Sequence, residues 1–94
     1  MLYLLIRHKV KSYAKWKPIF DEHGTARRDN GSKGGQLFRD PNNPNDITVR
    51  LEWDDLAKAR KFAKSADLRK TMQRAGVIGK PDLYFLEKVE QVAV

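Results

Sequence analysis

The chain has 94 residues, a length that suits one domain spanning residues 1–94. It contains no cysteine, which excludes disulfides and thiolate metal sites and favours a cytoplasmic location. The net charge is +7, and the first apolar run, residues 1–6, is too short for a signal-peptide core or a membrane span, so we expect no membrane partner.

The first half of the chain predicts a strand, a helix and a second strand. The first strand covers about residues 2–10. A helix follows from Ser12, as N-cap, to about residue 29, with a kink at Pro18 because proline lacks the N–H and clashes with the preceding turn. Asn30 and Gly31 end this helix, and the second strand covers about residues 34–40.

The second half predicts the same strand-helix-strand unit, after a turn-rich stretch at residues 41–45. Residues 46–53 alternate apolar and polar side chains, which is the period of a half-buried strand. Asp54 or Asp55 then caps a helix that breaks near Ser65, where a second short helix runs to residue 75. The fourth strand covers about residues 82–90 after a turn at residues 79–81.

The resulting order, β-α-β-β-α-β, predicts a ferredoxin-like α+β fold: a four-stranded antiparallel sheet with the helices on one face and strands one and three in the middle. Leu4, Ile6, Val49 and Leu51 would face the helices. The other face is too apolar for free solvent and too charged for a dry core, so we expect it to form the interface of a homodimer. The residues that define this outer face are Tyr3, Leu5, Arg7, Thr48, Arg50 and Glu52.

One stripe on the first helix carries the best candidates for chemistry. Its members recur at spacings of three and four, which places them on one helix face: Tyr13, Trp16, Phe20, His23 and Arg27. His23 is the candidate general acid or base, and the fork of Arg27 is suited to an enolate, carboxylate or phenolate oxygen. Trp16 and Phe20 would pack a ligand ring. The alternative is that the aromatic residues are core and His23 is a satisfied boundary histidine.

Three further residues are candidates for binding a ligand. His8 shares the inward parity of its strand and could line a cavity or its rim. Trp53 ends the third strand on the inward parity, where it serves either as core or as ligand wall. Tyr84 could point its hydroxyl into the cavity or into the dimer interface, and the sequence leaves both open.

Several other classes of site lack their signatures. The chain has no glycine-rich phosphate loop, no readable Ser-His-Asp grouping, and only two histidines, 15 positions apart, so we expect no cofactor and no metal. Residues 56–75 hold seven bases and one acid, which we interpret mainly as a solvated helix face. The third strand lacks the base-stacking motif of RNA-recognition modules, so we expect no specific nucleic-acid partner.

Five segments of the chain carry a resemblance to a known family: Tyr13 to His23, Phe38 to Ile47, Glu52 to Leu56, Met72 to Pro81 and Tyr84 to Glu87. With these segments on the predicted plan, the sequence resembles the dimeric α+β-barrel superfamily, and within it the small proteins similar to antibiotic-biosynthesis monooxygenases that are often labelled as cyclases. The resemblance implies a barrel formed by two sheets in a homodimer, with a cavity in each subunit between sheet and helices.

Two hypotheses about function follow. The first is a cofactor-free enzyme, of cyclase, isomerase or monooxygenase type, that acts on a small aromatic or polyketide-like compound. The second is a dimeric barrel protein that binds a small ligand without catalysis. A fold shared by many reactions does not choose between them.

Overall fold

The computed structural model describes residues 1–94, which form four strands and four helices. The strands are β1 (Leu2–Val10), β2 (Ser32–Asp40), β3 (Asn43–Trp53) and β4 (Val77–Glu87), and the helices are α1 (Tyr13–Glu22), α2 (Gly24–Asn30), α3 (Leu56–Ala63) and α4 (Ala66–Arg74). No helix has the length and apolar character needed to cross a membrane.

The strands form one antiparallel sheet in the order β2-β3-β1-β4, which confirms the ferredoxin-like plan and the central position of β1 and β3. Leu4 lies opposite Leu51 and Ile6 opposite Val49. These four side chains are buried, as the alternation predicts, and the core continues into the helices through Trp16, Phe62 and Leu68.

The first crossover differs from the single kinked helix that the sequence predicts. The chain stays helical through Pro18 and breaks instead at His23, which ends α1 and precedes α2. Gly24 follows, and glycine weakens a helix interior because it has the most backbone freedom to lose. The Ser12 side chain makes no capping bond; the Tyr13 N–H donates to Asn45 Oδ1 at 2.9 Å.

The second crossover confirms the predicted caps. Asp55 Oδ1 accepts from the Lys58 N–H at 3.2 Å and begins α3. Ser65 Oγ accepts from the Leu68 N–H at 3.1 Å and begins α4. Two short helices joined at Ser65 therefore replace one long helix, and the second cap fixes the first turn of α4 over the sheet.

The edge strands are longer than predicted. β2 begins at Ser32 rather than near residue 34, and β4 begins at Val77 rather than near residue 82, so residues 79–81 lie within β4 and not in a turn before it. Gly79 has φ +70°, and the register with β1 shifts between Arg7 and Lys9. A bulge in an edge strand accepts both a left-handed glycine and a proline, because their backbones need not complete the ladder.

The outer face of the sheet is partly exposed in the single chain. Leu5, Thr48 and Arg50 are half-buried, and Arg50 lies over the Tyr3 ring at 4.8 Å. Arg7 makes a two-point ion pair with the buried Asp46 at 2.9 and 3.2 Å, and these hydrogen bonds hold the pKa of Asp46 below its usual value.

The edge strand β4 also exposes apolar side chains on both faces. Tyr84 and Leu86 pair with Leu5 and Tyr3 and so share the outer face, whereas Leu83 and Phe85 pair with Ile6 and Leu4 on the helix side. All four are exposed. No helix covers the outer face, and on the helix side the Arg60 guanidinium of α3 lies 5.9 Å from the centre of the Phe85 ring without burying it.

Candidate functional site

A small, mostly apolar cavity of about 40 Å³ lies between the sheet and the helices. Strands β1 and β3 form its floor and all four helices contribute to its walls. The polar exceptions in the lining are His8, His23, Arg27 and Thr71. The remaining lining residues are Ile6, Trp16, Phe20, Val49, Leu51, Phe62, Leu68, Met72 and Ala75.

The predicted stripe on the first crossover forms despite the break in the helix. The Trp16 and Phe20 rings stack with centroids 4.7 Å apart and an angle of 19° between their planes. The backbone N–H of Arg27 donates to the backbone carbonyl of His23 at 3.2 Å, so the helical hydrogen bonding continues from α1 into α2. Trp16, Phe20, His23 and Arg27 therefore all line the cavity.

His23 is buried, and its Nε2 lies 2.6 Å from Asp67 Oδ2. Asp67 is in the first turn of α4, the turn that Ser65 caps, so the cap positions the carboxylate toward α1. In a neutral ring, a proton on Nε2 would be donated to Asp67, and Nδ1 would be the acceptor. Sequence reasoning missed this partner, although Asp67 is the only acid among seven bases at residues 56–75.

Arg27 is held without a carboxylate partner. Its guanidinium lies 3.9 Å above the Phe20 ring, and Nη1 donates to the Phe20 carbonyl at 2.8 Å. None of the six ion pairs in the structure includes Arg27. Partial burial lowers the pKa of Arg27, with a small opposing effect from Asp21, so this cation lacks the compensation that a buried charge normally has.

His8 projects from β1 and is the least satisfied polar group of the cavity. The residue is 7% exposed, and neither ring nitrogen has a hydrogen-bond partner. Its ring meets Trp16 edge to face at 5.7 Å. Burial lowers the pKa of His8 to about 4, although the Asp46 charge opposes this shift, so the imidazole is neutral at pH 7.

Two residues named as binding candidates do not line this cavity. Trp53 is 0% exposed and packs on Phe62 at 5.5 Å as part of the core. Tyr84 pairs with Leu5 on the outer face, so the sheet separates its ring from the cavity. The sequence left Tyr84 either in the cavity or on the outer face, where we expect a dimer interface, and the structure places it on the outer face.

This arrangement can transfer a proton and hold a negative charge in apolar surroundings. His23 has a carboxylate behind it, Arg27 has unused donors, and the aromatic wall excludes water. The structure has no group of three or more His, Cys, Asp or Glu side chains that could together hold a metal ion.

A scan against protein-family models finds no match, and a search of curated protein sequences also finds none. Solved structures do match. SnoaB, a cofactor-independent oxygenase from Streptomyces nogalater, has a TM-score of 0.78 and 12% identity, with 99% of this chain and 97% of that chain covered.

Two more solved structures give the same result. A Bordetella bronchiseptica protein provisionally named an antibiotic biosynthesis monooxygenase has a TM-score of 0.80 and 17% identity, with 95% of this chain and 97% of that chain covered. An antibiotic biosynthesis monooxygenase has a TM-score of 0.73 and 18% identity, with 96% and 100% covered. At these identities the likeness shows the fold, and it confirms that this chain has the fold of the antibiotic-biosynthesis-monooxygenase-like proteins that its sequence resembles.

Proposed function

We propose that this protein is a cofactor-free enzyme of monooxygenase type that acts on a small aromatic or polyketide-like compound in the cavity between sheet and helices. The observation that carries the proposal is the meeting of a stacked aromatic wall with the His23–Asp67 pair and an unpaired arginine. The fold supports it, because SnoaB, which shares that fold, is a cofactor-independent oxygenase.

The first step of the proposed reaction is the removal of a proton from the substrate. His23, oriented by Asp67, removes a proton from an activated phenol or carbon acid, and the cation of Arg27 stabilises the negative charge left on the substrate oxygen. An electron-rich anion of this kind can reduce dioxygen itself: a ring C–H becomes C=O, and the second oxygen atom leaves as water. No outside reductant is needed because the substrate supplies all four electrons. Cyclisation or isomerisation would use the same base and oxyanion contact.

The size of the cavity limits how a ring can enter. The space of about 40 Å³ holds water-sized molecules, whereas a cavity that binds benzene measures about 150 Å³. Ring binding therefore requires the wall to open. We expect the half-buried side chains of Thr71 and Met72 to move aside, while Phe20 stays between Trp16 and Arg27. Closure behind the substrate would then exclude water from the reacting atoms.

We further propose that two copies pair through the outer face. The exposed side chains of that face include Phe38, Tyr84 and Leu86 beside the half-buried Leu5. A patch of this composition in a chain of 94 residues is better covered than solvated. Light scattering at micromolar concentration tests this, and a stable folded monomer would contradict it.

A non-catalytic ligand-binding protein is the second candidate. It is favoured by the small apolar cavity and by His8, whose lowered pKa makes it a weak base but leaves it able to hydrogen-bond a ligand. In this case the cavity would sense or carry a small molecule and His23 would serve only to hold α1 to α4.

Oxidation of 1,5-dihydroxynaphthalene to its hydroxynaphthoquinone distinguishes these functions, since the reaction consumes one dioxygen and releases one water. We expect protein-dependent oxygen uptake, and label from ¹⁸O₂ in the quinone. His23→Ala should abolish turnover while the fold stays nearly intact, and Asp67→Asn should lower turnover while binding persists. Ligand binding without oxygen uptake would support the second candidate, and a variant that loses only stability would show that His23 is structural.

A further inference from the structure

Arg27 lines not only the apolar cavity but also a separate surface cleft of about 500 Å³. The cleft contains no hydrophobic residue and no acid. Its lining comprises Gly24, Arg27, Arg28, Ser32, Lys33 and Gly34. One guanidinium therefore lies at the boundary between the apolar cavity and a basic cleft that carries three formal positive charges.

The guanidinium is fixed at this boundary before any ligand arrives. Phe20 contacts it through the ring face and through the carbonyl. On the other side, a Cβ added to Gly24 would lie 3.3 Å from Nη2, so the missing side chain of Gly24 leaves the room that the guanidinium occupies. The single hydrogen bond uses one of the five N–H donors of the arginine, and no donor reaches a carboxylate.

No acidic side chain near Arg27 forms an ion pair with it. Asp21, the acid that acts on it electrostatically, is paired with Lys17 at 2.6 Å. In the cleft, Lys33 and Arg28 have acidic neighbours, Asp54 at 3.7 Å and Asp29 at 3.5 Å, but those contacts are exposed and long. Exposed pairs of this kind contribute little, so Lys33 and Arg28 keep the cleft basic, and the half-buried cation of Arg27 has no acid paired with it.

We propose that the ligand of this site is a carboxylate with an apolar body, whose acid group binds Arg27 from the basic cleft while the body enters the aromatic cavity. This rests on the proposed function and narrows its substrate to an acid. Two N–H donors of Arg27 would hold the carboxylate, and the donors that remain would contact the oxygen that becomes charged in the reaction. A planar carboxylate matches the two parallel N–H donors of a guanidinium. The positive charges of the cleft would attract such an anion toward Arg27.

The test compares benzoate with benzamide, which has nearly the same shape without the charge, by ¹⁵N–¹H NMR titration. We expect benzoate to bind more than tenfold more tightly than benzamide, with amide shifts at Phe20, Gly24 and Arg27. Because a charged hydrogen bond contributes enough to change affinity by about 10- to 100-fold, Arg27→Gln should weaken benzoate by that factor and weaken benzamide much less, so that the preference for benzoate is lost. Arg27→Lys should give an intermediate loss, since the charge remains and the fork is removed.

Arg28→Gln is the matched control, because it removes the same charge from the same cleft at a side chain that is 75% exposed. We expect its affinity for benzoate to fall less than threefold, and a melting curve for each variant confirms that it is folded. Equal binding of benzoate and benzamide would overturn the carboxylate assignment while leaving the cavity as a ligand site. If neither compound binds while 1,5-dihydroxynaphthalene is still oxidised, the carboxylate assignment fails and the proposed function stands; if that compound is not oxidised either, both fail. Benzoate shifts spread over α3 and α4 that survive Arg27→Gln would show a non-specific surface effect and would also overturn it.

Discussion

His8 gives the sharpest quantitative prediction, which concerns the free energy of unfolding as the pH falls. Its pKa is about 4 in the folded chain, against 6.5 for an unperturbed histidine. The unfolded chain therefore binds the proton more readily, so stability that is fully present above pH 6.5 is lost as the pH falls toward 4. A difference of this size corresponds to about 3 kcal/mol in total, of which about 2 kcal/mol is lost between pH 7 and pH 5.

The measurement is urea unfolding at pH 7 and pH 5, followed by the fluorescence of the buried Trp16 and Trp53. All samples have the same protein concentration, because the stability of a dimer depends on concentration. His8→Leu removes the titrating group and nearly preserves its volume. We expect the variant to be at least as stable as the wild type at pH 7, because no hydrogen bond is lost, and to lack the fall of about 2 kcal/mol that His8 causes.

Other charged groups do not obscure this comparison. Asp46 is the charge that acts on His8, and its own pKa lies below the usual value, so the Arg7–Asp46 pair stays intact at pH 5. His23 and Arg27 line the same cavity, and both are present in the wild type and in the variant. His23→Gln provides a second check, since it should keep the fall that belongs to His8. An equal pH dependence in the wild type and in His8→Leu would refute the reasoning.

Three further predictions concern other parts of the chain. Leu5→Lys should split the dimer in light scattering, because it places a charge at the centre of the outer face, whereas Leu5→Met should not; a dimer unchanged by the lysine would mean that another surface pairs. Asp55→Ala should lower the free energy of unfolding by about 1 kcal/mol through loss of the α3 cap, and Asp54→Ala, which removes no cap, should change it by much less. RNA should bind the basic face of α3 and α4 weakly and lose affinity steeply as salt rises; tight, sequence-selective binding at physiological salt would contradict this.

Elements with a local signal were predictable from the sequence. The alternation in β1 and β3 placed Leu4, Val49 and their neighbours on the correct face, and Asp55 and Ser65 marked helix starts through their own side chains. The errors fell where tertiary contacts override a local signal. β4 continues through the glycine and proline of residues 79–81 because β1 is there to pair with it.

Of the candidate site, the sequence predicted only the residues that share one face of the first helical segment. The spacing of Trp16, Phe20 and Arg27 is a property of one helical segment, so the sequence contains it. The His23–Asp67 contact joins residues 44 positions apart and depends on how α4 lies against α1, which no local pattern encodes. The ring nitrogens of His8 lack hydrogen-bond partners because of the side chains that surround them in the folded chain, which the sequence alone does not show.

The exposed edge strand β4 has a consequence for handling the protein. Residues 83–86 are four large apolar side chains in a row on a strand whose outer backbone groups have no neighbour, and such an edge can recruit a further strand from another molecule. Asp82 and Glu87 flank the run and oppose this stacking by charge repulsion. We expect fibrous aggregates to form faster at high salt, which screens this repulsion, so storage at low ionic strength should preserve the dispersed protein.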